Sequence, residues 1–171
     1  NLLYEALGGI WRLEELNALG LKKENAELVQ LSFEERHDPV EKLYTDLAYW
    51  IDLRDGEISY SANYRPEKAA KYIRSEDSSF SLLRAESVSI YPAAEGELRR
   101  IRWEKASLGE IPPESFSRIR SFSETELREA LKKAKAQLKN TLSDNTFGIL
   151  VHYKRIGESG EGKFYLEDRL G

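Results

Sequence analysis

The chain has 171 residues, 40% of them hydrophobic and 33% charged, with a net charge of −4 and no cysteine or methionine. This composition suits one globular α+β domain spanning residues 1–171, and it excludes disulfides, thiolate metal sites and cysteine nucleophiles. No apolar run reaches the roughly 18 residues of a membrane span and no signal-peptide pattern opens the chain, so a cytoplasmic location without a membrane partner is expected. The acidic balance creates no global field toward nucleic acid, although local basic patches remain. The chain starts on Asn1 in a helix-like pattern and lacks Met, so a fragment of a longer protein is expected.

Residues 1–20 read as an N-terminal helix. Leu3, Leu7, Ile10 and Leu13 keep helical spacing, and Leu19-Gly20-Leu21 supplies a glycine stop with an apolar residue beyond it. A polar segment follows, in which Asp38-Pro39 opens a short helical turn around 39–44.

Next, Leu47, Tyr49, Ile51 and Leu53 alternate with Asp46, Ala48, Trp50 and Asp52, and a second alternating run continues after Asp55-Gly56 through Ile58, Tyr60, Ala62 and Tyr64. A two-residue Asp-Gly loop predicts a hairpin pairing Arg54 with Glu57 and Leu53 with Ile58. Its apolar face is inward, so Asp46, Trp50 and Asp52 are expected on the outer one.

Pro66 starts a short helix over 66–74, and a second strand pair is expected at 86–91 and 98–104, with Val88 and Ile90 sharing a face with Ile101 and Trp103. Pro112-Pro113 precedes a linker and a long helix at 124–143, capped by Ser123 and Glu126 and buried along Leu127, Leu131, Ala134, Leu138 and Leu142. A last strand pair, 147–153 with 163–167, is joined by the glycine-rich loop 157–162. The resulting fold class is α+β: a mostly antiparallel sheet built from hairpins, packed against the N-terminal helix and the long helix of the C-terminal half.

No catalytic or metal constellation emerges. His37 sits among charged residues and His152 lies mid-strand, and neither has a second ligand or base partner at a recognisable spacing. The glycine-rich loop leads into a strand and carries Glu158 and Glu161, so it reads as a hairpin connection and not as a phosphate cradle. Basic residues beside aromatics are more informative. Arg99, Arg100 and Arg102 crowd one strand near Tyr91 and Trp103, Arg65 and Lys68 follow the first hairpin, and Arg128, Lys132, Lys135 and Lys139 form a helical stripe. Arginine next to aromatic rings suits stacking and phosphate contact, although Arg100 and Arg102 also fit a solvated strand face alternating with Ile101. Trp50 is the candidate partner anchor on the outer hairpin face, unless a flanking helix covers it.

Four stretches together resemble the region downstream of the zinc finger in bacterial SWIM zinc-finger proteins: Leu47-Ala-Tyr-Trp-Ile-Asp-Leu with Gly56-Glu-Ile, Asn63-Tyr-Arg-Pro-Glu-Lys-Ala-Ala-Lys-Tyr-Ile, Ser87-Val-Ser-Ile-Tyr-Pro with its arginine-bearing return strand, and Phe164-Tyr-Leu-Glu-Asp-Arg-Leu-Gly. The resemblance implies a companion domain with protein or nucleic-acid binding. The family's zinc ligands follow a Cys-x-Cys…Cys-x-His pattern, and with no cysteine in this chain none carries over.

The leading expectation is therefore a non-enzymatic interaction or assembly domain with a protein partner, accompanying a zinc-binding module elsewhere in its parent protein. The runner-up is a nucleic-acid-binding domain using Arg65, Lys68, Arg100 and Arg102, and a third reading is a hydrolase-like enzyme with an unrecognised carboxylate site. The candidate binding surface is Trp50, Arg65, Lys68, Arg100 and Arg102. No cofactor is expected.

Overall fold

The stretch after Gly20, expected to be a polar connection, is the longest strand of the protein. A computed structural model describes residues 10–70, 80–139 and 146–168. After helix α1 (Leu13–Ala18), strand β1 runs over 17 residues, Lys22–Asp38. Its first part pairs with β4 (Leu82–Ile90), from Lys22 opposite Ser89 to Val29 opposite Leu82, and its second part pairs with β2 (Leu43–Asp52). Two irregularities bend it: Asn25 has φ +51°, and the register against β2 slips between Gln30 and Ser32. An extra residue of this kind increases local twist, and each irregularity resets the alternation, which hides the strand from a period-of-two reading.

Strand β3 (Ile58–Pro66) pairs antiparallel with β2 and parallel with β5 (Arg99–Trp103), which is antiparallel to β4. Because β1 joins both β2 and β4, the order β1-β2-β3-β5-β4 closes into a ring, with β6 (Ala106–Gly109) continuing beside β4. The strand order and the single parallel pair are those of an OB-type barrel, a five-stranded Greek-key barrel left partly open. Helices α2 (Glu67–Ala70), α3 (Pro113–Ser121) and α4 (Leu127–Gln137) and the separate hairpin β7 (Arg155–Glu158)–β8 (Phe164–Glu167) complete the described residues. The sheet is mostly antiparallel and the chain mixes α and β, as expected.

Several local expectations change. Helix α1 occupies only Leu13–Ala18 of the predicted 1–20, and residues 1–9 lie outside the described residues. Its glycine stop is present: Gly20 has φ +68°, and the Leu21 N–H reaches back to the Leu16 carbonyl at 2.9 Å. The turn expected to be helical at 39–44 is a tight hairpin turn, in which the Asp38 carboxylate accepts the N–H groups of Val40 and Glu41 at 2.8 and 3.0 Å. Helix α2 holds Glu67–Ala70 of the predicted 66–74, and residues from 71 lie outside the described set.

The β2–β3 hairpin forms two residues out of its predicted register, with Ile51 opposite Ile58, Tyr49 opposite Tyr60 and Leu47 opposite Ala62. Asp52 closes a longer loop by giving its N–H to the Glu57 carbonyl (3.0 Å) and accepting the Gly56 N–H (2.8 Å), which frees Leu53 to bury against the core. A slip of two keeps the same side chains together on each face of the hairpin. The β4–β5 pair matches expectation, with Val88 opposite Trp103 and Ile90 opposite Ile101. The Pro112-Pro113 linker is instead the start of α3, with proline tolerated in the first turn.

Helix α4 starts at Leu127 and not at 124. The Ser123 hydroxyl donates to the Arg120 carbonyl (2.6 Å), so it does not cap, and the Asp168 carboxylate accepts the Leu127 N–H at 3.1 Å. Its buried face is Ala130 and Ala134, while Leu131 and Leu138 are exposed and Leu142 lies outside the described residues. Strand β8 pairs with 155–158 rather than with 147–153. The segment 146–152 is held differently: the Gln137 amide exchanges two hydrogen bonds with the backbone of Gly148 (3.3 and 3.0 Å), and Glu124 bonds to Leu150 and His152, both at 2.8 Å.

The barrel interior is built from Ala26, Leu28, Ala48, Trp50, Leu83, Ala85, Val88, Ile90 and Ile101. Outside it, Val29, Ile51, Leu53 and Leu82 pack under Ile119, Phe122 and Leu150, and Leu47, Tyr49, Tyr60 and Leu98 form a third cluster. Gly148 approaches that third cluster so closely that a Cβ there would stand 3.3 Å from Tyr49 and 3.4 Å from Ile58 and Leu98. The face of β2 and β3 that would otherwise be open is thus covered by the chain's own C-terminal segment.

Gly56 gives a direct test of this packing. It has φ +74°, and an added Cβ would fall on the Phe122 ring, whereas Gly20 has the same backbone hand with nothing within 4 Å. Gly56→Ala is expected to cost about 2–4 kcal/mol and Gly20→Ala about 1 kcal/mol, compared by urea unfolding. Equal losses at the two positions would contradict the close approach of Phe122.

Candidate binding site

Alternation on β2 separates two faces without saying which is interior, and the barrel selects the one carrying Asp46, Ala48, Trp50 and Asp52. Asp46 is 4% exposed, Asp52 2% and Trp50 5%, against the expected outward placement. Each polar group is satisfied inside. The Trp50 indole donates to the Ser61 hydroxyl at 2.9 Å and meets Trp103 edge-on, with ring centroids 5.1 Å apart. An exposed aromatic anchor therefore does not exist at Trp50.

Arg65, also expected on the surface, is 4% exposed. It grips Asp46 with two parallel bonds, Nε to Oδ2 at 2.6 Å and Nη2 to Oδ1 at 2.7 Å, reaches Glu35, and lies 5.3 Å from the centre of the Tyr44 ring. Such bidentate pairing is the strong form of the ion pair, and it raises the Arg65 pKa through Asp46 against the opposing effect of burial. Arg65 thus ties β1, β2 and β3 together across the barrel, and it is not available to a ligand. Asp46 and Glu35 are held by the same guanidinium.

The opposite end is closed by Lys23, whose Nζ lies 3.2 Å from Asp52, 2.8 Å from Asp55 and 2.8 Å from Glu57. Arg54 also donates to Asp52, by its backbone N–H at 2.9 Å and by Nη2 at 3.1 Å, and Arg99 Nε donates to Glu57 at 2.6 Å. Burial alone would push the Asp52 carboxyl up, but the bonds from Arg54 and the charge of Lys23 outweigh it and hold it below the ordinary carboxylate value. For Lys23, burial would lower the pKa, and its bonds to Asp55 and Glu57 raise it.

What remains open lies between β3 and β5. These strands pair only at Ser59 with Arg99 and Tyr60 with Arg100, and beyond that point they part. The seam, lined by Ser61–Tyr64 on one side and Arg100–Trp103 on the other, encloses about 390 Å3. It shares Ser61, Asn63 and Trp103 with a cavity of about 410 Å3 inside the barrel mouth, whose walls include Trp50, Ala48, Phe33, Leu83 and Gln30. Both volumes lie in the range of ligand sites. The residues alternate across the seam: Ser61, Asn63 and Trp103 line the inner cavity, whereas Arg100 and Arg102 line the outer groove and not the cavity. Arg102 also borders a neighbouring groove that holds Glu24, Glu86 and Glu104.

Arg100 is held over the rings of Tyr91 (4.7 Å) and Tyr64 (5.5 Å), with its Nε buried and unpartnered. Among the described residues neither Arg100 nor Arg102 has a carboxylate partner. Lys68 is exposed on α2 and lines neither cavity. Of the expected surface the structure therefore gathers Arg100 and Arg102, buries Trp50 as a wall of the cavity, and buries Arg65 away from both openings. It adds Gln30, Asn63, Tyr64 and Trp103. Gln30 is 5% exposed and its Nε2 has no partner; a lone amide within Leu28-Val29-Gln30-Leu31 was the available signal.

His37 stacks on Tyr44 at 4.4 Å, 3.8 Å from Glu67, and among the described residues no group of three or more His, Asp or Glu could hold a metal ion. No described helix is long and apolar enough to cross a membrane. No protein-family model, curated protein or solved structure matches the chain.

Two measurements check the internal charges. Asp46→Ala removes the bidentate partner of the buried Arg65 guanidinium and is expected to cost about 3–5 kcal/mol in urea unfolding at neutral pH; a loss below about 1 kcal/mol would show the pair to be solvated. Asp52, held low in the fold, contributes stability that is present above its unfolded value near pH 4 and lost as pH falls through its folded one. The urea midpoint should therefore drop between about pH 5 and about pH 2, and Asp52→Asn, though less stable at pH 7, should show a shallower drop.

Proposed function

We propose that the chain is a non-enzymatic interaction module that takes up an extended, acidic segment of a protein partner along the β3–β5 seam. One observation carries this reading: two arginines without acidic partners among the described residues stand beside two strand edges that have stopped pairing with each other. Unpaired strand edges offer main-chain hydrogen bonds to an added strand, and the two cations select the charge of what is added. The resemblance to the companion region of SWIM zinc-finger proteins points to the same class of function. Single-stranded nucleic acid is the second reading, favoured by Arg100 beside Tyr64 and Tyr91. The covered outer face of β2 and β3 and the net charge of −4 weigh against it.

Fluorescence anisotropy with a labelled peptide of alternating pattern, Glu-Val-Glu-Val-Glu-Val-Glu, and with a single-stranded oligothymidine separates the two. The peptide should bind, weaken as salt rises from about 50 to about 200 mM, and lose at least about tenfold in affinity with Arg100→Glu or Arg102→Glu. Binding of the oligothymidine with no binding of the peptide would reverse the assignment.

A further inference from the structure

The seam has an inner side as well as an outer one, and the two differ in chemistry. An extended segment turns successive side chains to opposite sides, so acidic residues held by Arg100 and Arg102 would alternate with residues facing the barrel cavity. That cavity is walled by the rings of Trp50, Trp103 and Phe33 together with Ala48 and Leu83, and its volume is about 410 Å3. Its polar features are few, and the one charged group among them, the Asp46 carboxylate, is already bound by Arg65. The Ser61 hydroxyl already accepts the Trp50 indole. Gln30, nine-tenths buried on the cavity wall, has an amide nitrogen with no partner. Asn63 stands at the junction of cavity and groove.

A buried amide donor left unmade is costly, and a half-turn about its last torsion exchanges the donor and acceptor ends of Gln30. Aromatic walls set edge to face, a carboxylate already taken by Arg65 and one unsatisfied amide fit a planar ring with a polar edge. An aliphatic side chain would leave Gln30 unpartnered, an anionic one would face the Asp46 carboxylate, and a cationic one would compete with Arg65, which already grips Asp46 with two bonds.

Resting on the seam reading, we infer that the barrel cavity is a specificity pocket for an aromatic residue with a hydrogen-bonding edge, tyrosine in the first place, on the partner's extended acidic segment. The outer arginines recognise charge and the inner cavity recognises the ring.

The test uses the whole chain and a peptide series, Glu-Val-Glu-Xaa-Glu-Val-Glu, with tyrosine, phenylalanine or alanine at the centre. The tyrosine peptide should bind about thirtyfold more tightly than the alanine peptide and about tenfold more tightly than the phenylalanine one, with a change in emission from Trp50 and Trp103. Gln30→Leu should bring tyrosine down to the level of phenylalanine and leave phenylalanine unchanged. Ala106→Trp, a substitution at the exposed rim of the cavity, should reduce both to the level of alanine, with near-ultraviolet circular dichroism verifying the fold of each variant.

Equal binding of the three peptides would overturn the pocket while leaving the seam reading intact. A tyrosine preference that survives Gln30→Leu would overturn the role of the amide. Failure of all three peptides to bind would remove the seam reading and the pocket with it.

Discussion

The architecture depends on the double pairing of β1. One strand serves β4 along its first part and β2 along its second, and this closes a sheet that would otherwise have two edges. Closure leaves β3 and β5 to complete the circuit side by side and parallel, without a hairpin to fix their spacing, and they stay in contact for only two residue pairs. The opening is thus a by-product of how the ring is closed. A strand straight enough to read as a regular alternation could not turn this far, so Asn25 and the slip near Leu31 are part of the same requirement.

Closure also decides which side of each strand is inside, and here it encloses charge. Asp46 with Arg65 occupies one end of the barrel, and Asp52 with Lys23 and Arg54 occupies the other. Buried pairs of this kind add little net stability compared with apolar packing, but each bond set spans strands distant in sequence. Lys23 ties the start of β1 to the β2–β3 loop, and Arg65 ties the end of β3 to β2 and β1. Between these ends the interior is mostly apolar and centred on Trp50 and Trp103, with Gln30 and Ser61 as its polar insertions.

Local chemistry was legible in the sequence wherever one signal dominated. The glycine stop at Gly20, the two faces of β2 and β3, and the sharing of a face by Val88, Ile90, Ile101 and Trp103 all followed from period and turn residues. The hairpin register was not legible, because Asp-Gly suits a two-residue loop while the Asp52 backbone closes a longer one. Nor was the sense of inside and outside. An apolar alternation shows that a strand has two environments, and here both faces are covered, one by the barrel and one by Phe122, Leu150 and the segment around Gly148. Of the proposed binding surface, Arg100 and Arg102 are legible from their aromatic neighbours. Gln30 was missed because its strand, broken twice in phase, read as a polar connection.

The short contact between β3 and β5 has a further consequence, for self-association. A strand edge that has lost its neighbour can template the same edge of another molecule, and proteins that keep such an edge must protect it. This one is short: Pro66 ends β3 and cannot donate to a ladder. It is also flanked by like charges, so two copies approaching seam to seam would bring Arg100 and Arg102 of one against the same pair of the other. The arginines that the proposed reading assigns to an acidic chain would therefore also oppose seam-to-seam pairing of two copies.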